Sequence, residues 1–348
     1  MMIEKRISKL RDNLQKAVEL ELSTIPPYLL AMWSIKPETN IASSVILRSV
    51  LMEEMLHLTL AANVLSAVGG TVRLGKENIP SYPLRLEFKG KRDREIDIHL
   101  SRFSKSAVET FLQIELPDNF SPRLAAKAKP EIEIPGFTIG DFYREIKHDL
   151  TALCKEHGQK AIFTGNAAHQ VSEQYFWRGG GKPVVVTDIS SATKAIDVIA
   201  DQGEGADGSL FDGDKHFFGQ PEELAHYFRF NQIYNERYYK KTDRIHDKPS
   251  GEKFSVLYAD VYPLKADPKS VDYNSDPELR ALNNRFNAGY TMMLRQLAEG
   301  FGGNPAVFYT AIMNDMLGLT AVAQKMAQTP IKGDPEKQTG APTFEWRV

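Results

Sequence analysis

The sequence predicts a mainly α-helical protein built on a four-helix bundle, with a small β-containing insertion and additional C-terminal helices. Three observations predict it. Apolar residues recur at helical spacing over two long N-terminal stretches joined by a short connection. Short alternating segments interrupt that texture between 71 and 116. Helical periodicity then returns from 138 and again over about 277–328.

The first stretch places Ile3, Ile7, Leu10, Leu14, Val18 and Leu22 close to a helical repeat. It continues through "STIPPYLLAMWSI", where Pro26 and Pro27 remove two backbone donors and predict a kink or break. Residues 41–68 form a second long helix, stopped by Gly69 and Gly70. The linking "KPETN" is short enough for antiparallel neighbours. "TVRL", "LRLEFKG", "IDIHLSRF" and "ETFLQIEL" read as strand-like segments of an insertion. A Pro-rich connection at 118–137 leads to a capped helix at 138–157. "VVVTDI" reads as a strand, and 190–205 as a helix that ends at glycines. Pro221 opens a helix expected over about 221–240. A loop region at 241–275 precedes two helices, about 277–300 and 304–328, and an extended tail. The chain, 1–348, reads as a single domain with the insertion at about 71–135 and extra helices at about 277–328.

Composition narrows the function classes. At 42% hydrophobic and 25% charged, the chain has material for a large core. A net charge of −2 and the lack of a long basic run argue against nucleic acid as a partner. The lone Cys154 excludes an intrachain disulfide and fits a reducing compartment. The N-terminal stretch is charged and amphipathic, without a signal-peptide core. No run reaches the roughly 18–20 apolar residues of a membrane span. A cytoplasmic location is expected, with no membrane partner.

One stretch breaks the hydrophobic rule. In "VLMEEMLHLTLAANVL", residues 50–65, Glu53, Glu54 and His57 sit in an otherwise apolar helix. An unpaired charge there would cost several kcal/mol. Glu54 and His57 are three apart and share a helix face, whereas Glu53 points about 100° away, as a supporting partner or a cap. The same Glu-x-x-His spacing recurs at Glu145/His148 and at Glu223/His226. Eight histidines and 25 glutamates in 348 residues would give about 0.6 such pairs by chance, so context must choose among the three. Glu145/His148 lies among charged residues and reads as a solvated face. Each of the other two pairs follows an isolated acidic position. Glu19 and Glu21 precede the first pair, and spacing leaves both available; Glu204 precedes the second. Two Glu…Glu-x-x-His halves facing each other are what a helix bundle needs to hold a dinuclear carboxylate metal site. Carboxylates balance two divalent cations and bridge them, and imidazoles are neutral terminal ligands.

"ELELSTIPPYL", "EEMLHLTLAANVLSAVGG", "DQGEG", "ELAHYFRF" and the closing "GAPTFEW" together resemble the ferritin-like domain family named after the iminophenyl-pyruvate dimer synthases, which includes the violacein-pathway type. The resemblance runs from about residue 10 to the end, with its motifs in family order. It implies a ferritin-like four-helix bundle with additional elements. Carried over position by position, it implies metal ligands at Glu21, Glu54, His57, Glu204, Glu223 and His226.

The expected function is a dinuclear, di-iron carboxylate enzyme that uses dioxygen to oxidise or couple a small organic substrate. Two iron ions are the expected cofactor, and manganese accepts the same donors. Two alternatives stand beside it: imine coupling of the dimer-synthase type, and non-enzymatic metal binding or iron storage. The insertion and extra helices suit a small homo-oligomer better than a storage shell. Tyr28, Trp33, Tyr227 and Phe228 are candidate pocket or core residues, and Asn287, Tyr290 and Asn314 candidate polar pocket residues.

Overall fold

Helix α1 (Met2–Ser34) and helix α2 (Ile41–Ala67) fold back on each other through residues 35–40 and form the most extensive helix–helix contact in the molecule. The computed structural model describes residues 2–89, 93–118, 120, 132–176 and 179–347. Every residue of α2 from Leu56 to Ala67 is buried. A helix with no polar face must be covered on every side, and α2 is: it touches α1, α6, α8 and α9.

The remaining elements run in chain order. Strands β1 (Leu84–Lys89) and β2 (Arg94–Ile98) pair antiparallel, with Leu86 opposite Ile96. Helix α3 (Lys105–Ile114) follows, then β3 (Ile132–Pro135), which pairs parallel to β1 and gives the order β2-β1-β3. Helices α4 (Ile139–His157), α5 (Gln159–Ile162), α6 (Ile189–Glu204), α7 (Asp214–Phe218) and α8 (His226–Asn235) come next. The last group is α9 (Pro277–Phe301), α10 (Pro305–Thr310), a π-helical turn (Ala311–Met316) and α11 (Leu317–Ala327).

Four of these helices form the bundle. α1 touches α2 and α4, and α6 touches α4 and α2, closing a ring. α3 and α8 pack on each other, and α8 also reaches α2 and α6. α9 to α11 pack together against the other side of α1. The chain is thus a four-helix bundle carrying a three-stranded sheet and extra C-terminal helices.

Several local expectations change. α1 is not broken at Pro26 and Pro27. Pro27 has no N–H for the carbonyl of Ser23, and the buried Tyr82 hydroxyl donates to that carbonyl instead, at 2.7 Å. "ETFLQI" is helix, not strand: Ser104 caps α3 by accepting from the Ala107 N–H at 3.1 Å, and Ala107, Val108, Phe111 and Ile114 form its buried face. "VVVTDI" pairs with no strand among the described residues. Side chains hold it instead. Asn63 on α2 donates to the carbonyls of Val171 and Val184, and Gln170 donates to that of Val186. The helix expected over 221–240 begins only at His226 and ends at Asn235. The closing tail threads along α9, where Tyr273 bonds both backbone groups of Ala341 and Phe344 stacks on Trp33.

Replacing Tyr82 by Phe leaves the Ser23 carbonyl buried and without a partner, and is expected to cost about 1–3 kcal/mol in chemical denaturation. The buried Tyr290 hydroxyl has no hydrogen-bond partner among the described residues, so Tyr290→Phe is expected to be neutral or slightly stabilising in the same assay.

Candidate metal centre

Five buried side chains from four elements converge inside the bundle. Glu21 comes from α1, Glu54 and His57 from α2, Glu115 from the residue that ends α3, and His226 from the first turn of α8. Among the described residues, Glu54, His57 and His226 each offer one ligand atom, all within 4.8 Å of one another. The two imidazoles stack with ring centroids 5.2 Å apart.

Each of the five is anchored through one atom and turns the other toward the centre. The Tyr143 hydroxyl donates to Glu21 Oε1 at 2.5 Å, which leaves Oε2 3.6 Å from His57 Nδ1. Thr24 donates to Glu54 Oε2 at 2.5 Å, which leaves Oε1 2.9 Å from His226 Nδ1 and 3.9 Å from His57 Nδ1. The Tyr28 hydroxyl donates to Glu115 Oε1, and Glu115 Oε2 lies 3.4 Å from His226 Nδ1. His57 is tied at Nε2 to Gln202 Oε1 at 2.9 Å, and His226 at Nε2 to Glu53 Oε2 at 2.8 Å. Both rings therefore present Nδ1 inward. His226 Nδ1 is buried and has carboxylate oxygens nearby, but none is placed to hydrogen-bond it. A buried nitrogen in that state fits a cation more naturally than an apolar core.

A second layer holds the anchors. Arg229 Nη1 donates to Glu53 Oε1 at 2.8 Å, its Nη2 reaches Asp212 Oδ2 at 3.2 Å, and its Nε donates to the carbonyl of Leu224. Gln202 donates to Asp214 Oδ1 at 2.8 Å and to the carbonyl of Gly180 at 2.9 Å, which fixes its carbonyl oxygen toward His57.

The electrostatics follow from this packing. Burial pushes Glu54 up to about 7, reinforced by the Glu115 charge. Burial lowers the basicity of His226, but Glu115, Glu53 and Glu54 outweigh it and hold the imidazole well above its ordinary value. His57 is raised likewise: burial lowers it, and Glu21 more than compensates. Burial raises Glu53, but Arg229 and His226 win and hold it below the usual range. Without a metal, this cluster therefore holds protons where a cation would sit. The Tyr28 and Tyr143 hydroxyls are pushed well above 10, first by burial and then by the carboxylates beside them, so they remain donors.

The expected ligand positions divide. Glu21, Glu54, His57 and His226 come together. Glu19 does not join them; it accepts from Gln15 and Asn78 on the outer side of α1. Glu204 stands at the wall of a cavity of about 20 Å³ that Glu21, Glu54, His57 and Glu115 also line. Its carboxylate is seated on the N-terminus of α4, accepting from the Gly140 N–H at 2.8 Å, with Arg144 at 3.8 Å. Burial still raises it to about 7. Glu223 is the correction. Residues 223–225 run extended beside 210–212, with the Asp212 N–H bonded to the Glu223 carbonyl and the Ala225 N–H to that of Leu210. Glu223 and His226 therefore share no helix face, and the Glu223 side chain is 58% exposed, 3.4 Å from Arg229. Glu115 occupies the place expected of it.

Glu115 escaped because 109–116 reads as strand. The helical repeat was present: Phe111 and Glu115 are four apart on the face that also carries Val108 and Ile114. The supporting residues Gln202, Arg229 and Tyr143 carry no spacing signal. The Glu145/His148 pair is on the surface as expected, with the His148 side chain 82% exposed and Glu145 beside Lys9. Tyr28 serves the site, whereas Tyr227 and Phe228 pack against Phe120. Asn287 holds the C-terminal tail through Thr343 and Glu345. The Asn314 side chain lies outside the described residues.

A family model described as Ferritin-like matches residues 14–235. The chain belongs to the ferritin-like family. Two curated relatives are similar to it. One is dichlorochromopyrrolate synthase of Lentzea aerocolonigenes, 25% identical over 326 residues. The other is 2-imino-3-(indol-3-yl)propanoate dimerase of Chromobacterium violaceum, 26% identical over 333 residues. Each alignment covers 86% of this chain and 29% of the relative, so the chain spans under a third of the length of these curated relatives. A crystal structure of a ferritin-like protein from Caulobacter vibrioides superposes with a TM-score of 0.59 at 20% identity, covering 97% of this chain and 98% of that one. At that identity the likeness concerns the fold. No helix among the described residues is long and apolar enough to cross a membrane.

Replacing Arg229 by Met strands the buried Glu53 and Asp212 carboxylates. The expected loss is about 3–5 kcal/mol in chemical denaturation of chelator-treated protein. Glu223→Gln, at an exposed position, is expected to stay within about 0.5 kcal/mol of the parent.

Proposed function

We propose that this chain is a dinuclear metal enzyme, with two iron ions held by Glu21, Glu54, His57, Glu115 and His226, that uses dioxygen to oxidise or couple a small organic substrate. One observation carries the reading. Five side chains are each tied down through one atom and present the other to a common buried point, where His226 Nδ1 lies 2.9 Å from Glu54 Oε1 and 3.4 Å from Glu115 Oε2. Three carboxylates and two neutral imidazoles are a donor set that iron and manganese accept. Bound metal would supply the redox chemistry with dioxygen.

The chain's own residues set the conditions for it. Tyr143, Thr24 and Tyr28 aim the carboxylates, and Gln202 and Glu53 fix the imidazole tautomers. Ile114, Ile139 and Ile199 form an apolar wall of the inner cavity and exclude water. Ala200 and Glu204 line both that cavity and an outer one of about 250 Å³ whose rim carries Arg144. This supports approach of substrate from the Arg144 side, where the guanidinium is paired with Asp118 and Asp141. Glu204 would then be a wall residue of the passage, with its charge already met by Gly140 and Arg144.

The likeness to a synthase and to a dimerase of 2-imino-3-(indol-3-yl)propanoate favours a second, narrower reading of the same site: coupling of imine-type molecules. Coupling two such molecules through a new bond removes two electrons and two protons, which dioxygen would accept.

The test is metal per chain after anaerobic loading with ferrous iron. About two per chain are expected for the parent chain. Glu115→Gln, His57→Ala and His226→Ala are expected to lose at least half of it, while Glu204→Gln, Glu223→Gln and His148→Ala keep it. Equal loading of all variants would overturn the assignment. Uptake is expected to release protons and to weaken as pH falls through about 7, because Glu54 and the imidazoles then hold their protons more tightly.

A further inference from the structure

The outer faces of α1 and α2, turned away from the metal cluster, wall a second and larger cavity of about 540 Å³. The π-helical turn and α11 close its far side through Ile312, Met316, Thr320 and Gln324. It adjoins a wholly apolar chamber, and Ile25, Leu29, Trp33, Met55, Ile312 and Met316 line both. Its volume falls in the range of small-molecule sites.

The charge on its wall sets it apart from a packing defect. The wall of the outer chamber carries Arg48, Lys36 and a single acid, Glu38. The side chains of Arg48 and Lys36 make no hydrogen bond or ion pair among the described residues. Ile41 and Val45, on the same wall, are 67% and 62% exposed. Apolar walls and unpaired cations describe a ligand with the complementary layout.

We propose that this cavity binds a medium-chain carboxylate. The carboxylate would pair with Arg48 and Lys36, and the methylene chain would fill the Met- and Leu-lined space. Methionine-rich walls suit a flexible chain. The proposal does not depend on the metal reading, because no residue lining this cavity belongs to the five-residue cluster.

The experiment is calorimetric titration of the full chain with dodecanoate below its micellar range. Binding at one site in the micromolar range is expected, accompanied by a shift in tryptophan emission. Arg48→Glu, at an exposed position, is expected to weaken binding at least tenfold. Leu29→Trp, which fills the junction of the chambers, is expected to abolish it. No saturable binding to the parent chain would overturn the proposal, as would equal affinity in folded Arg48→Glu and Leu29→Trp. So would a dimer in light scattering that Arg48→Glu or Leu29→Trp dissociates, since a second copy would then be the occupant.

Discussion

Three carboxylates and two imidazoles share a volume from which water is excluded, and the interior of this protein is organised around making that tolerable. Each group is satisfied on one side by a buried donor or acceptor and open on the other. The carboxylates are met by Tyr143, Thr24 and Tyr28, and the imidazoles by Gln202 and Glu53. Removing water strengthens these bonds and equally strengthens the mutual repulsion of Glu21, Glu54 and Glu115. Protons on the raised groups relieve that repulsion when no metal is bound, and a divalent cation would relieve it more fully.

The layering explains why so many elements are needed. α2 supplies a ligand pair on one face and Glu53 on another, and Glu53 reaches across to His226 on α8. Arg229, one turn along α8, neutralises Glu53 and ties it to Asp212. A bundle of four helices alone would lack Glu115 and His226, which α3 and α8 bring in from outside the ring. On its opposite face the α1–α2 pair meets α9 to α11 through Leu22, Ile25, Met55 and Leu58. One pair of helices thus separates a polar, tightly held cluster from an open apolar cavity.

Legibility in the sequence followed the kind of signal each part leaves. The bundle helices were readable because their apolar repeat is long, and Glu54 and His57 because charge in a greasy helix has few explanations. The N-terminal part of the second half was not. Glu223 and His226 have the spacing of a helix pair, but pairing of 223–225 with 210–212 holds that segment extended, and spacing alone carries no trace of it. Glu115 was hidden by reading a short β-rich string by composition instead of by its i, i+4 repeat. Glu204 was found as a position, while its partner Gly140 was not, because a backbone N–H at a helix start leaves no side chain to notice. The continuity of α1 through Pro26 and Pro27 depends in part on Tyr82, far away in sequence, and no local rule supplies it.

The most direct measurement is anomalous diffraction at the iron absorption edge from crystals grown anaerobically with ferrous iron. Two peaks are expected among Glu21 Oε2, Glu54 Oε1, Glu115 Oε2 and the Nδ1 atoms of His57 and His226. Iron bound instead by Glu204 with Glu223, or no peak at this cluster while iron binds elsewhere, would contradict the assignment.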